Sequence, residues 1–269
     1  MTMPRILSPI TRKIVKYELR DVGRSRWLFA YTLFFFAVTD ALLRFGGADK
    51  ALLSLTSVTL FIVPLVALVF GTVFLDDARE FTELLLAQPV TRRQLYTGLY
   101  LGLTLPLAAG FVAGAAIPFA LHGAIAPTLR ISLAVLLAAG VVLTCVFTAL
   151  AFLVGAFVDD RLRRMGAAIA LWLAMAVLYD GLVLVLAMLF ADRPIERLLL
   201  GLTLGNPVDL ARVILLLQFD VSALMGYTGA VFQKFFGGAM GIAIASTALA
   251  LWVTVPVALG LRAFRKRDF

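Results

Sequence analysis

The sequence predicts an all-α integral membrane protein in which six membrane-spanning helices follow an N-terminal amphipathic helix. Composition is the first indication: of the 269 residues, 62% are hydrophobic and 15% are charged, whereas a soluble domain has roughly 25% charged residues. The second is that six apolar runs are long enough to cross a hydrocarbon layer of about 30 Å. The third is that Lys and Arg gather in every second segment between those runs, which is typical of multi-span proteins.

The apolar runs set the expected domain organisation. The predicted spans are residues 27–43, 51–75, 99–122, 131–158, 165–190 and 239–261. They form one transmembrane domain, 27–269, behind an N-terminal segment, 1–26. That segment is polar and basic and is not followed by the small-residue cleavage site of a signal peptide.

Positive charges indicate the orientation of the spans. With six spans both termini lie on one side of the membrane. The segments on that side, which carry 17 of the 24 Lys and Arg residues, are 1–26, 76–98, 159–164 and 262–269. The two short loops on the other side carry three. Because Lys and Arg resist translocation from short segments, both termini are predicted to be cytoplasmic.

The N-terminal segment has the pattern of an amphipathic helix over residues 9–26. Val15, Leu19 and Val22 recur at helical spacing, and the positions between them are mostly charged. Such a helix can lie in the headgroup layer with its basic side toward anionic lipid. The alternative is an ordinary positively charged flank of the first span.

The second cytoplasmic loop, 76–98, is too long for a simple turn. Residues 77–87 have helix-forming composition, and Pro89 disfavours continuation of that helix. Thr91 and Gln94 have the spacing of a capping box that starts the next helix. A short charged helix of this kind suits docking against a cytoplasmic partner, and a solvated helical hairpin without a partner is the alternative.

The long outer loop, 191–238, is too hydrophobic to be free in water and too broken for a clean span. Asn206 can cap a helix that has Pro207 at its first position and Asp209 in its first turn. Asp209 and Arg212 have the i, i+3 spacing of an ion pair on one helix. We expect short helices that lie on the outer face or dip into it, and a seventh span is the alternative.

Two carboxylates lie within predicted spans. Asp180 falls in the outer half of the fifth span, and Asp40 falls near the outer end of the first. Because an intramembrane carboxylate is costly unless it is paired, neutral or hydrated, Asp180 is a candidate for the transport pathway. Pairing with a neighbouring residue is the structural alternative. Asp40 and Arg44 have the i, i+4 spacing of an ion pair.

The chain lacks the residue types that catalysis or a metal site would need. It has one histidine, His122, one cysteine, Cys145, and seven scattered methionines, which excludes a multi-histidine site and disfavours a copper path. No GxxxxGK[ST], HExxH or GxSxG motif is present. We therefore expect a non-catalytic chain with no metal or cofactor of its own. The net charge of +8 indicates membrane orientation rather than a nucleic-acid partner.

Three stretches together resemble a known membrane family. The basic N-terminal segment KYELRDVGRSRWLF, the six spans and the loop EFTELLLAQPVTRRQL are similar to those of the ABC-2 type permeases, which have a type V exporter-like architecture. The outer stretch GNPVDLARVILLLQFDVSALMGYTGAVFQKFFG resembles one branch of that family. That branch belongs to the system that matures the copper sites of nitrous oxide reductase in denitrifying bacteria.

The resemblance implies a set of partners. The chain would form a homodimer in the bacterial inner membrane, and each copy would dock one subunit of a cytoplasmic ABC ATPase dimer, which holds ATP and Mg²⁺. A periplasmic β-helical accessory protein, a copper-chaperone lipoprotein and membrane lipids complete the implied assembly. The implied cargo is a sulfur species or copper. The alternative is that no cargo crosses and ATP hydrolysis instead changes the conformation of the periplasmic partner.

The resemblance also assigns roles to residues. ATPase coupling falls on the loop 76–98, whose charged candidates are Asp77, Arg79, Glu80, Glu83, Arg92 and Arg93. Contact with the periplasmic partner falls on the outer loop, with Asn206, Pro207, Asp209 and Arg212 as candidates. Two other interpretations stay open: an ABC-2 exporter of a lipid, peptide or drug, and a membrane scaffold that transports nothing.

Overall fold

The computed structural model describes residues 9–86, 89–123, 127–190, 196–218 and 239–266. Within those ranges the chain is helical and contains no strand. In chain order the helices are α1 (Pro9–Gly23), α2 (Arg26–Gly46), α3 (Ala48–Asp77), α4 (Arg79–Leu86), α5 (Arg92–Leu121), α6 (Pro127–Phe157), α7 (Arg161–Leu173), α8 (Tyr179–Leu189), α9 (Glu196–Leu204), α10 (Pro207–Gln218) and α11 (Ala239–Lys266). A π-helical segment, Ala174–Leu178, joins α7 to α8.

Six helical units in the described ranges are long and apolar enough to span a membrane, namely α2, α3, α5, α6, the continuous α7–α8 unit and α11. The predicted all-α fold with six membrane helices is therefore confirmed. Helices α3 and α5 each have 30 residues and extend beyond the apolar runs. Hydropathy alone misses such extensions, because polar residues stay helical where the helix leaves the bilayer.

Helices α3, α5 and α6 form the centre of the bundle, with α2 packed on α5, α11 on α6 and α7 on α3. Aromatic side chains fill this centre. Phe35 of α2 meets Phe111 of α5 edge to face, with ring centroids 4.9 Å apart, and both side chains are fully buried. Large apolar side chains of α8, such as Leu184 and Met188, are exposed, as expected where a helix faces lipid or another chain.

Contacts between helix ends define two faces of the bundle. The proximal face carries α1, α4, the first turns of α5 and α7 and the last turn of α11. There Arg92 Nη1 donates to the carbonyl oxygen of Arg265 at 2.6 Å. The distal face carries the ends of α2 and α5, where His122 Nε2 lies 3.6 Å from Asp40 Oδ1. The predicted pair of Asp40 and Arg44 is confirmed, with Oδ2 and Nε 2.7 Å apart.

Helix α1 packs closely on α5 because two glycines of α5 leave room for it. A Cβ atom on Gly98 would lie 2.6 Å from Ile14 Cγ2, and one on Gly102 would clash with Glu18 Cβ. The sequence predicts an apolar side of α1 that faces lipid. In the structure α5 lies against that side, and the basic residues of α1 lie on its exposed side. The glycines that cause this lie far along the chain, beyond the reach of local periodicity.

Helices α9 and α10 form a hairpin that enters the bundle. At its tip the Leu204 carbonyl oxygen accepts a hydrogen bond from Trp252 Nε1 at 3.1 Å, and Trp252 lies half-way along α11. Leu210 and Val213 pack against Ala245 of α11. Leu210 and Val213 of this hairpin are therefore covered by the membrane helices. Residues 219–238 of the predicted outer loop lie outside the described residues.

Candidate functional site

Helix α4 is an exposed amphipathic element of the proximal face. Arg79 Nε and Glu83 Oε1 form an ion pair at 3.1 Å along its outer side. Leu84 is 68% exposed there, which is unusual for a leucine beside charged residues. On the inner side the Phe81 ring stacks on Tyr17 of α1, with centroids 5.1 Å apart. The helix thus presents one apolar and two charged side chains outward while it is anchored to α1.

The start of α5 is fixed on two sides. Thr91 Oγ1 accepts from the Gln94 backbone N–H at 3.3 Å, and Gln94 Oε1 accepts from the Thr91 N–H at 3.1 Å. The predicted capping box is therefore confirmed. Arg92 adds the hydrogen bond to the end of α11. A displacement of the chain before α5 would consequently reach both α5 and α11.

A buried arginine that was not among the predicted site residues joins the two proximal loops. Arg164 is 5% exposed. Its Nη1 donates to Asp76 Oδ1, its Nε donates to the Val158 carbonyl oxygen at 2.9 Å, and its Nη2 donates to the Asp159 carbonyl oxygen at 3.0 Å. The end of α3 is thereby tied to the start of α7. The sequence contains only a weak indication of this contact: the loops 76–98 and 159–164 both begin with two aspartates that are soon followed by arginine.

A second polar cluster forms where the hairpin meets α8. Arg212 Nη1 lies 2.8 and 2.7 Å from the two carboxylate oxygens of Asp180 and 3.0 Å from Asp209 Oδ1. One guanidinium thus contacts two carboxyl groups, which come from different helices. Such charge-assisted hydrogen bonds are short and directional. The cluster therefore fixes α10 against α8.

Asn206 completes the attachment of the hairpin. Its Oδ1 accepts from the Val208 N–H at 3.0 Å, which caps α10 as predicted. Its Nδ2 donates to the carbonyl oxygen of Met175 at 2.7 Å, within the π-helical segment. Tyr179 Oη donates to the Leu202 carbonyl oxygen at 2.7 Å. Since π-helical turns are rare and often mark functional positions, the binding of the hairpin tip at this turn singles out the segment.

Neither cluster has the composition of a metal centre. Across the described ranges, no group of three or more His, Cys, Asp or Glu side chains is placed to hold a metal ion. The distal cluster combines two carboxylates with a guanidinium, which competes directly with a bound cation. The arrangement is suited to holding helices together and transmitting displacement.

The sequence as a whole matches a family with this architecture. A family model described as ABC-2 family transporter protein matches residues 12–269, nearly the whole chain. The chain belongs to the ABC-2 transporter family. As a member of that family it is a permease subunit of an ABC transporter, which works with a separate ATPase.

This permease is similar to two curated proteins, each named "Probable ABC transporter permease protein NosY". The protein from Pseudomonas aeruginosa is 31% identical over 278 aligned residues, which cover 96% of this chain and 99% of the relative. The protein from Stutzerimonas stutzeri is 27% identical over 282 residues, which cover 94% and 97%. NosY is the permease of the branch that the outer-loop sequence resembles, so the resemblance is confirmed.

The predicted residues of the permease fall in two groups, one on the proximal face and one where the hairpin enters the bundle. Those on the proximal face are Asp77, Arg79, Glu80, Glu83, Arg92 and Arg93. The side chain of Glu80 is not among those that the structure describes. The structure brings together the distal candidates, which the sequence assigns to separate roles. Asp180 pairs with Arg212 from the outer loop, as the structural alternative for this carboxylate requires.

The distal candidates are mostly turned toward the permease itself. Asn206 is 1% exposed and Asp209 is 9% exposed, and Pro207 is buried at the start of α10. These side chains hold the hairpin in place and expose little surface of their own. Arg212 and Asp180 are the more accessible members, with side chains that are 27% and 38% exposed.

Proposed function

We propose that this permease couples ATP hydrolysis by a cytoplasmic ATPase pair to maturation of the copper sites of periplasmic nitrous oxide reductase. The similarity to the two NosY proteins supports the choice of system. The observation that carries the coupling role is the position of α3. This helix leads into α4 on the proximal face, and it also packs on α10 of the hairpin.

The orientation follows from charge. The proximal face is cytoplasmic, because it carries the predicted cytoplasmic segments that are rich in Lys and Arg. Both termini then lie in the cytoplasm of a bacterium, and the chain lies in the inner membrane. The distal face is periplasmic, where the β-helical accessory protein and the copper-chaperone lipoprotein bind.

Coupling begins at α4. The ATPase subunit docks on the outer side of this helix, where Leu84 supplies an apolar anchor and Arg79 and Glu83 supply charge; Asp77 lies just before the helix, at the end of α3. ATP-driven closure of the two ATPases then displaces α4 and, through the Arg164–Asp76 pair, the start of α7. Packed helices transmit such a displacement as rigid bodies. Two copies of the permease, one for each ATPase, move together.

The permease itself makes and breaks no bonds. ATP and Mg²⁺ belong to the ATPase subunits, and this chain has no phosphate-binding motif. With one histidine, one cysteine and seven scattered methionines in the whole chain, it lacks the clustered soft ligands that would pass copper along by direct ligation. A sulfur species, or mechanical drive of the periplasmic partner, fits the chain better than copper.

A second candidate function is export of a lipid or another apolar cargo. An apolar cavity of about 650 Å³ lies between the hairpin tip and α11 and is lined by Leu204, Thr247, Trp252 and Pro256. Such a groove could hold an acyl chain. Lipid extracted from the purified transporter, at a level that changes with ATP, would favour this function over reductase maturation.

The coupling role is tested by reversing the charge of α4. In E80K/E83K we expect the permease to insert and accumulate normally, while reductase copper loading falls to background, because repulsion replaces the docking charges. Copper content and activity of the reductase from the same cells give the readout. D49K, a reversal on the distal end of α3, is the control and should leave loading intact. Unchanged loading in E80K/E83K would overturn the role of α4.

A further inference from the structure

A cavity of about 270 Å³ opens on the proximal face between α1 and the junction of α3 with α4. We name it the acidic pocket. Its polar walls come from Glu18, Asp21 and Asp77, and its aromatic walls include the stacked pair Tyr17 and Phe81. The pocket adjoins the helix to which the ATPase is proposed to dock, because Phe81 belongs to α4.

The negative charge of the acidic pocket is not compensated within the described part of the chain. No Lys, Arg or His is among its lining residues. Glu18 is 3% exposed, and no hydrogen bond or ion pair joins its carboxyl group to another described residue. Burial, with a smaller contribution from Asp21, raises the pKa of Glu18 to about 7. A buried carboxyl group that lines a cavity without a partner is costly, and a cation in the cavity would remove that cost.

The surroundings of the acidic pocket have the opposite charge. Arg12, Lys13, Lys16 and Arg20 are all exposed on α1, and the cytoplasmic segments as a whole are basic. A positively charged group that approaches the proximal face is therefore repelled over most of it and attracted at this pocket. This contrast between a basic surface and an acidic pocket favours one docking position for a partner that carries a positive charge.

We propose that the acidic pocket is a socket for a Lys or Arg side chain of the cytoplasmic ATPase. This inference rests on the proposed function, because it requires that the ATPase dock beside α4. The carboxylates of Glu18, Asp21 and Asp77 pair with the cationic group. The rings of Tyr17 and Phe81 cover its aliphatic stem and add a cation–π contact.

The test uses full-length permease in nanodiscs and the purified cognate ATPase, with the dissociation constant as the readout. In D21N/D77N we expect binding to weaken about ten-fold or more, because two carboxylates that face the cation lose their charge. Both aspartates are exposed and the exchange keeps their shape, so folding is preserved. The matched control is D49N, the same exchange at the distal end of α3, which should leave binding unchanged.

A second variant separates this inference from the proposed function. L84D removes the apolar anchor of α4 and should abolish ATPase binding if α4 is the docking helix. Unchanged binding in D21N/D77N together with loss in L84D would overturn the socket and leave the docking role intact. Unchanged binding in both variants would overturn the docking role and the socket with it. An equal loss in D49N would show a general charge effect and would also contradict the socket.

A charge exchange identifies the occupant. With D77K as the permease, each Lys and Arg on the permease-facing side of the ATPase is changed to Glu in turn. We expect a single position to restore binding by about ten-fold, since only the residue seated in the pocket gains an opposite charge there. Absence of any restoring position, or restoration at many positions, would contradict a specific socket.

Discussion

Arg164 and Arg212 each join parts of the chain that are distant in sequence. Arg164 meets Asp76 on the proximal face, and Arg212 meets Asp180 where the hairpin enters the bundle. Sequence spacing predicted the pair of Asp209 and Arg212, because both lie on one helix. The longer-range partners could not be predicted, since they depend on how the helices pack.

The Arg164–Asp76 pair should matter for stability because its guanidinium is buried. Loss of one member leaves the other charge without a partner, which costs about 3–5 kcal/mol in a buried pair. We therefore expect R164A to lower the unfolding temperature of the detergent-purified permease strongly. Arg161 provides a matched control: its Nε lies 3.8 Å from the same Asp76, but its side chain is 62% exposed. R161A should cost less than about 1 kcal/mol, and equal losses in the two variants would refute the distinction.

At the scale of elements, local signals were sufficient for some features. The six membrane helices, the capping box at Thr91 and the cap at Asn206 follow from hydropathy and from side chains that act within one turn. Local signals could not predict that α5 packs on the apolar side of α1, or how far the hairpin enters the bundle. Both depend on small residues and carbonyl groups of helices that are remote in the chain, such as Gly102 and Met175.

The close contact of α1 with α5 predicts that adding one methyl group to α5 lowers the stability of the permease. G102A should destabilise the permease, because the new Cβ would overlap with Glu18 Cβ on α1. G166A is the matched control: Gly166 is also helical, and a Cβ there meets nothing within 4 Å. The control should be neutral or slightly stabilising, since alanine favours helix by roughly 1 kcal/mol over glycine. Thermal unfolding in detergent measures both, and a destabilised G166A would contradict the packing explanation.

At the scale of the whole molecule, two polar regions are connected by apolar helices. On the proximal face α4 is tethered to α1, α5 is tied to α11, and α3 is tied to α7. Toward the distal face the hairpin is bound to the π-helical segment and to Asp180. The apolar helices between these regions contain no charged cluster among the described residues, so the proposed function requires that displacement be transmitted by packing. This connection is what makes the chain suitable for transferring the motion of a partner.

The most direct measurement follows the hairpin while the ATPase changes state. Hydrogen–deuterium exchange of peptides covering 196–218 would be compared in nanodisc complexes with the ATPase nucleotide-free and trapped with ATP, since exchange reports local opening. We expect protection of the hairpin to change on trapping in the native permease and to stay constant in L84D, where the ATPase cannot dock. A hairpin that does not respond in the native complex, or that responds equally in L84D, would contradict transmission from α4.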